Sequence, residues 1–229
     1  MFFFDPLYFI ILAPTIALTL WASFKVKRTF ARYNKVPVSS GRSGREAAEM
    51  LLRRQSIRIP VEQHPGALSD HYDPRVRVLR LSPEVYNGRS VGAVAVAAHE
   101  VGHAMQHHSG YQPLMFRQVL ARPASFASNV SWVLLLGGFL LGAFGLVQLG
   151  IALFSLVVLF QVVTLPVELN ASSRAKALVW ETGLITPDER RGVSKVLSAA
   201  AMTYVAAALT GILTLVYYLL RSGLLGGDE

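Results

Sequence analysis

Three long apolar runs without a charged side chain constrain this sequence more than any other feature. They span residues 6–24, 123–167 and 196–220. A helix needs about 20 apolar residues to cross a bilayer, so the first and last runs each hold one helix. The middle run is about twice that length and fits two helices joined by a tight turn, which we place at 148–150, where polarity and glycine coincide. The sequence therefore predicts four transmembrane helices.

The charged residues indicate how these helices are oriented. Segment 25–122 carries 16 basic and seven acidic residues, and segment 168–195 carries five basic residues. Basic loops face the cytoplasm, so both segments are predicted to be cytoplasmic and both chain ends external. No basic residue precedes the first run and five follow it within 25–35, which is typical of a permanent anchor in the inner (plasma) membrane. Topology thus explains the basic charge, and we expect no nucleic-acid partner.

The first cytoplasmic segment is long enough for a small α+β domain. The chain has no cysteine, so any catalysis in this domain must use histidine, carboxylate or hydroxyl groups. The predicted elements are a helix with a Ser43–Glu46 capping box, strands over 57–61 and 76–81, and a helix from a Ser90 cap to about His108.

The last of these helices contains HEVGH, an HExxH motif. Four residues advance a helix by about 400°, so His99 and His103 project from one face and can reach the same zinc ion. Glu100, rotated by about 100°, can take a proton from water without binding the metal. The alternative is a chance occurrence of the motif. Since 96–105 contains no other charged residue besides the motif, as expected of a buried zinc helix, we favour the metal site.

A catalytic zinc normally has a third protein ligand. His107 is excluded, because its Cα lies about 12 Å from that of His99 along an unbroken helix. Glu168 is the best candidate, since it is the first acidic residue after the middle apolar run and a carboxylate at the end of a span tends to have a function. Two intervening spans would return it to the face that carries His99. The alternative is an ordinary glutamate at the membrane interface.

Six short segments, spread along nearly the whole chain, match the sequence pattern of a known protein family. They are MFFFDP (1–6), LSDHYDPR (68–75), LSPEVYNGRS (81–90), AAHEVGHAMQ (97–106), LPVELNAS (165–172) and ALVWETGLI (177–185). In these segments the sequence resembles the YugP-like neutral zinc metallopeptidases, integral membrane proteins of bacteria. The resemblance implies a membrane-bound zinc peptidase in which His99 and His103 bind zinc and Glu100 is the catalytic acid and base.

The sequence is also similar to the prenyl-protein and heat-shock membrane proteases. This similarity implies that Glu168 is the third ligand, which makes the zinc set gluzincin-like. Ser172 occupies the position where those relatives carry an aspartate, so either Ser172 or Asn170 would orient the ligands. Such peptidases often place a substrate-binding edge and an oxyanion donor upstream of the zinc helix, where His71 and Tyr72 lie; a structural role in the turn is the alternative for both.

We therefore expect a membrane α-helical protein with a small zincin-like domain that carries the HExxH helix. Its substrate would be a peptide or a membrane protein, and its other partner the lipid bilayer. A non-cleaving zinc-binding scaffold or chaperone is the alternative. A metal transporter is disfavoured, because the apolar runs contain no charged residue or histidine. The expected segments are 1–24 (first span), 25–122 (cytoplasmic zinc-peptidase domain), 123–167 (second and third spans), 168–195 (cytoplasmic segment with the third ligand) and 196–229 (fourth span and tail).

Overall fold

The computed structural model describes residues 6–224. The first five residues of the MFFFDP segment and the last five of the predicted tail lie outside this range. The described chain is mostly helical, with one small sheet. Its elements are α1 (Pro6–Tyr33), α2 (Gly44–Arg54), β1 (Val61–Gln63), β2 (His71–Asp73), β3 (Val78–Leu81), α3 (Pro83–Asn87), α4 (Val91–His108), α5 (Gln112–Leu141), α6 (Phe144–Glu181) and α7 (Arg190–Arg221).

Within residues 6–224, four helices are long and apolar enough to cross a membrane, as predicted. They are α1, α5, α6 and α7. All four extend past the apolar runs: α1 continues to Tyr33, α5 begins at Gln112, α6 continues to Glu181 and α7 begins at Arg190. Backbone hydrogen bonding does not require apolar side chains, and Arg, Lys, Gln and Glu are good helix formers. Hydropathy therefore located the candidate spans and underestimated the lengths of these helices.

The predicted position of the turn between the two middle helices, 148–150, is wrong. Helix α5 ends at Leu141 and α6 begins at Phe144. Between them Gly142 adopts a left-handed conformation, with φ of +64°, which is the usual way for glycine to end a helix. Gly150 instead lies within α6, where an added Cβ would be 2.8 Å from Cγ of Leu135 on α5. Its missing side chain permits close helix packing.

The chain divides into two compact units, and the first consists of residues 6–22, 115–166 and 203–224 of the described range. A small apolar cluster in this unit is centred on Leu135, Val147 and Ile151. The hydroxyls of Thr19 and Thr210 are 3.2 Å apart and share a hydrogen bond. Small polar pairs of this kind satisfy hydroxyl groups between membrane helices.

The second unit consists of residues 23–114 and 167–202. Its sheet has the order β1-β3-β2, with β1 parallel and β2 antiparallel to the central strand β3. Two predicted helix starts are confirmed: Ser43 and Glu46 form a capping box at α2, and the Ser90 hydroxyl accepts from the backbone N–H of Ala93 at α4. The helices and the sheet share one apolar core.

The two predicted strands are only partly correct. The first was expected over 57–61, but β1 begins at Val61, immediately after Pro60, which has no N–H to donate to a neighbouring strand. The second was expected over 76–81, but β3 begins at Val78. The preceding residue, Arg77, has a φ of +53°, a left-handed conformation that a β-strand cannot contain.

Candidate metal centre

The structure brings together the three side chains that the sequence predicted as ligands. His99 and His103 lie one turn apart on α4, and Glu168 lies on α6. Oε2 of Glu168 is 3.2 Å from Nε2 of His99 and 3.5 Å from Nε2 of His103. The ligand atoms of the three residues all lie within 4.8 Å of one another. Two imidazole nitrogens and one carboxylate oxygen therefore converge on one point, as a single metal ion requires.

The orientation of the His103 ring is set by Gln106, a fully buried residue one turn further along α4. Nε2 of Gln106 donates to the carbonyl oxygen of Val167 at 2.7 Å and to Oδ1 of Asn170 at 3.0 Å. Both amide hydrogens are thus used, so Oε1 of Gln106 is the atom that faces Nδ1 of His103 at 3.0 Å. It accepts the Nδ1 proton, which leaves Nε2 of His103 with a free lone pair directed at Glu168.

The His99 ring is held in a similar way by Ser172. The Ser172 hydroxyl lies 3.2 Å from Nδ1 of His99, so its oxygen can accept that proton and leave Nε2 as the metal-binding atom. Asn170 reaches the other histidine indirectly, because its Oδ1 accepts from both Gln106 and Nε of Arg174, the latter at 2.8 Å. The two residues that the sequence suggested as supports therefore serve different ligands: Ser172 contacts His99 directly, and Asn170 supports His103 through Gln106.

A glycine between the two histidines allows α4 and α6 to approach so closely. A Cβ added at Gly102 would lie 2.5 Å from the carbonyl oxygen of Ala171, far inside van der Waals contact. Ala171 is itself a small, fully buried residue. Because the backbones meet at this point, the side chains of His99 and Glu168 can reach each other from different helices.

Glu100 lies beside the cluster and outside the group of three converging ligands. It is buried, and this burial raises the pKa of its carboxyl to about 7, with His99 opposing the shift and Glu168 adding to it. The backbone N–H of Tyr72 donates a hydrogen bond to this carboxyl. Strand β2 therefore runs next to the carboxylate that the sequence predicted as the catalytic base.

The two residues predicted at the substrate edge lie on opposite faces of β2, because side chains alternate along a strand. The Tyr72 hydroxyl is 2.7 Å from Nδ1 of His107, so this side chain packs against α4. The His71 ring contacts other groups: Nδ1 lies 2.7 Å from the carbonyl oxygen of Ser69, and the ring meets that of His64 edge-on. Of the pair, Tyr72 is the one that contacts the zinc helix.

Sequence reasoning missed the part played by Gln106. A usable signal was nevertheless present, since a residue three positions after His103 shares its helix face, and an uncharged amide on a buried face needs partners. The partners themselves lie about 60 residues away on α6, beyond the reach of local patterns.

The profile of a family described as "Putative neutral zinc metallopeptidase" matches residues 8–223. This chain belongs to that zinc metallopeptidase family. A relative, "Putative membrane protease YugP" of Bacillus subtilis (strain 168), is 50% identical over 215 residues, which are 93% of this chain and 96% of the relative. No solved structure matches the chain. The resemblance of the sequence to the YugP-like neutral zinc metallopeptidases is therefore confirmed.

Zinc is the cofactor of a zinc metallopeptidase, and the residues present fit it. Two neutral imidazoles and one carboxylate are a ligand set of catalytic zinc sites, which keep the fourth position for water or substrate. The hydrogen bonds at the far nitrogens of His99 and His103 are the supports that such ligands normally have. His99, His103 and Glu168 thus form a group that could hold the zinc ion expected of this family.

Proposed function

We propose that this protein is a multi-pass membrane zinc endopeptidase that hydrolyses peptide bonds at the cytoplasmic face of the inner (plasma) membrane. In this proposal His99, His103 and Glu168 hold zinc in a gluzincin-like set, and Glu100 is the general base and acid. The small α+β domain that carries them would be zincin-like. Peptides or membrane proteins would be the substrates.

One observation carries the catalytic part of the proposal: Glu100 is buried beside the three ligands but is not one of them. Burying a carboxylate is costly even though the backbone N–H of Tyr72 donates to it, and a site that only bound metal would not need it. The pKa of about 7 that burial produces suits a group that must accept and return a proton near neutral pH.

The chain's own residues would divide the chemistry as follows. Zinc, when bound, supplies a Lewis acid and lowers the pKa of water. A carboxylate oxygen of Glu100 takes a proton from the attacking water as that water adds to the scissile carbonyl carbon. The same oxygen then gives the proton to the departing amine nitrogen, so Glu100 ends the cycle as it began. Gln106 and Ser172 keep the histidine rings in position throughout.

The edge of the sheet offers a place for the substrate backbone. Strand β2 pairs only with β3 among the described strands, and the N–H of Tyr72 points away from β3 toward Glu100. In an antiparallel edge strand the carbonyl of the same residue points the same way. A peptide lying along this edge would donate a backbone N–H to the Tyr72 carbonyl, while the Tyr72 N–H stays with Glu100, and would present its scissile bond to Glu100. His71 lies on the other face of β2, where its ring would have a structural role in the turn at Ser69.

The membrane part of the proposal rests on the charge distribution. The relative is named as a membrane protease, and four helices of the described range could cross a membrane. The basic segments 25–122 and 168–195 would both be cytoplasmic, with spans in 1–24, 123–167 and 196–229. The zinc ligands would then lie on the cytoplasmic side, in the two segments that follow the first and third spans. In this proposal the net positive charge sets the membrane topology, and no nucleic acid is a partner.

Replacement of Glu100 tests the proposed function directly. The Glu100→Gln protein should keep about one zinc per chain, because Glu100 is not a ligand, while hydrolysis of a peptide mixture falls by several orders of magnitude. Full-length protein in detergent or lipid discs should be used, with zinc measured by mass spectrometry. His103→Ala is the matched control and should lose both metal and activity.

The same experiment decides between an enzyme and its alternative. If wild type and Glu100→Gln release the same peptides at the same rate, contaminating activity is responsible. The protein is then better described as a zinc-binding scaffold or chaperone that does not cleave.

A further inference from the structure

A cationic cavity of about 320 Å³ lies one helical turn beyond the candidate metal centre, within the second unit. Its positively charged wall comes from Arg58 and Arg77, and two histidines at the end of α4, His107 and His108, complete that side. None of its lining residues is acidic. Both arginines and His108 are exposed at its opening, so the cavity is accessible from solvent.

The two arginines are not neutralised within the described part of the chain. No carboxylate of residues 6–224 lies within salt-bridge distance of Arg58 or Arg77, whereas Arg45, Arg80 and Arg89 each have such a partner. The charge of Arg77 also acts on His107 in the cavity wall. The pKa of His107 is lowered, mainly by burial and to a smaller extent by the charges of Arg77 and His108. The cavity therefore offers two guanidinium groups that form no ion pair with a described carboxylate; a negative charge acting on its wall is that of Asp73, which reaches Tyr72.

Tyr72 links this cavity to the proposed catalytic carboxylate. Its backbone N–H donates to Glu100, while its side chain lines the cavity and bonds to His107. His107 lies four residues after His103, or about 6 Å along the helix axis and nearly on the same face. A peptide lying on β2 with its scissile bond at Glu100 would thus place a nearby side chain, or its own C-terminus, at the mouth of the cavity.

We propose that this cavity is a specificity subsite that binds a carboxylate of the peptide substrate through Arg58 and Arg77. A guanidinium pairs with a carboxylate through two parallel hydrogen bonds, and the cavity volume is of the size that holds a small ligand group. The carboxylate would come either from an Asp or Glu side chain near the cleaved bond or from the C-terminus of the peptide. This inference rests on the proposed peptidase function.

The first test is the cleavage specificity of the full-length zinc-loaded protein. A peptide library made by proteolytic digestion, with free or amidated C-termini, is incubated with the protein and the new ends are identified by mass spectrometry. Wild type should cleave peptides with an acidic residue at one fixed position, or peptides with a free C-terminus, about tenfold or more faster than their neutral counterparts. Amidation distinguishes the two sources of the carboxylate.

Arg77→Asn and Arg58→Asn should reduce that preference to about twofold or less, mainly through KM. Asparagine is chosen because it tolerates the left-handed conformation that Arg77 adopts. Arg75→Asn is the matched control: Arg75 belongs to the same turn, is exposed and does not line the cavity, so its removal changes the net charge equally and should leave the preference intact. Zinc content and melting temperature verify that each variant is folded.

Binding to the Glu100→Gln protein separates failure of this inference from failure of the proposed function. Immobilised Glu100→Gln protein should retain acidic or free-C-terminal peptides from the same library, and the added Arg77→Asn change should abolish that enrichment. If wild type cleaves nothing but Glu100→Gln shows this Arg77-dependent retention, the peptidase function fails and the carboxylate site stands. Equal retention of acidic and neutral peptides, or a preference that survives both arginine changes, overturns the subsite. Loss of binding to phosphatidylglycerol vesicles in Arg77→Asn, with peptide preference unchanged, also overturns it in favour of a lipid contact.

Discussion

At the scale of single residues, the candidate metal centre depends on side chains outside its three ligands. Gln106 accepts the Nδ1 proton of His103 while both of its own amide hydrogens are held by Val167 and Asn170. The ring therefore cannot rotate, and its tautomer is set before any ligand arrives. The HExxH spacing alone predicts which histidines face the metal, but the partners that orient them come from α6.

We expect Gln106→Leu to lower zinc affinity about 10- to 100-fold, the usual effect of removing a partner of a metal-bound histidine. Competition with a chromophoric chelator measures this affinity on the purified protein. Gln118→Leu is the matched control, because Nε2 of Gln118 is buried and has no hydrogen-bond partner in the described structure. Similar affinities for the two variants would show that the hydrogen bond of Gln106 to His103 is dispensable.

At the scale of secondary-structure elements, the decisive feature is the close approach of α4 and α6 at Gly102. The periodicity of α4 was readable from the sequence, and so were its Ser90 cap and its end near His108. The contact of Gly102 with Ala171 could not be read from the sequence, because the two residues are far apart in the chain. The residues next to a helical glycine do not indicate which distant residue it packs against.

Gly102→Ala should therefore damage the centre although alanine is the better helix former. The new methyl group must push α4 away from the Ala171 carbonyl, which should cost about 1–3 kcal/mol of unfolding free energy and lower zinc affinity by about tenfold or more, because ligands must be held within about 0.5 Å. Gly137→Ala is the control, since a Cβ there meets no atom within 4 Å. Thermal melting and chelator competition measure the two effects. If Gly102→Ala has the same melting temperature and the same zinc affinity as Gly137→Ala, the proposed close contact is contradicted.

At the scale of the whole molecule, metal binding should be coupled to folding. The three ligands come from segments separated by 69 positions between His99 and Glu168, so an unfolded chain cannot hold them together. A ligand that binds only the folded state stabilises it by about 2.7 kcal/mol when its concentration is 100 times its Kd. Free zinc should therefore raise the melting temperature in a concentration-dependent way, and a chelator should reverse the rise.

The His103→Ala protein provides the comparison for this melting experiment. Its melting temperature should not respond to zinc or to chelator, because one of the three ligands is missing. A zinc-dependent rise of the same size in His103→Ala would place the stabilising metal elsewhere in the chain.

The membrane topology is a second property of the whole molecule. With basic residues concentrated in 25–122 and 168–195, the positive-inside rule predicts that both segments face the cytoplasm. A reporter inserted near Ser40 or in the loop before Arg190 should then behave as cytoplasmic, and one fused after Glu229 as exported. External labelling of one of the two basic segments together with cytoplasmic labelling of the other would exclude a zinc site shared by His99 and Glu168.

The sequence by itself determined the properties that depend on neighbouring residues. Four apolar helices follow from the length and hydropathy of the runs, and the pairing of His99 with His103 follows from the helical period. Tertiary structure decided what depends on distant residues: the place of the turn at Gly142, the support of His103 by Gln106, and the meeting of Arg58, Arg77 and His107 around one cavity. The physical reason is that periodicity and propensity act over a few residues, whereas close packing joins side chains from different helices and strands whose separation along the chain leaves no pattern in the sequence.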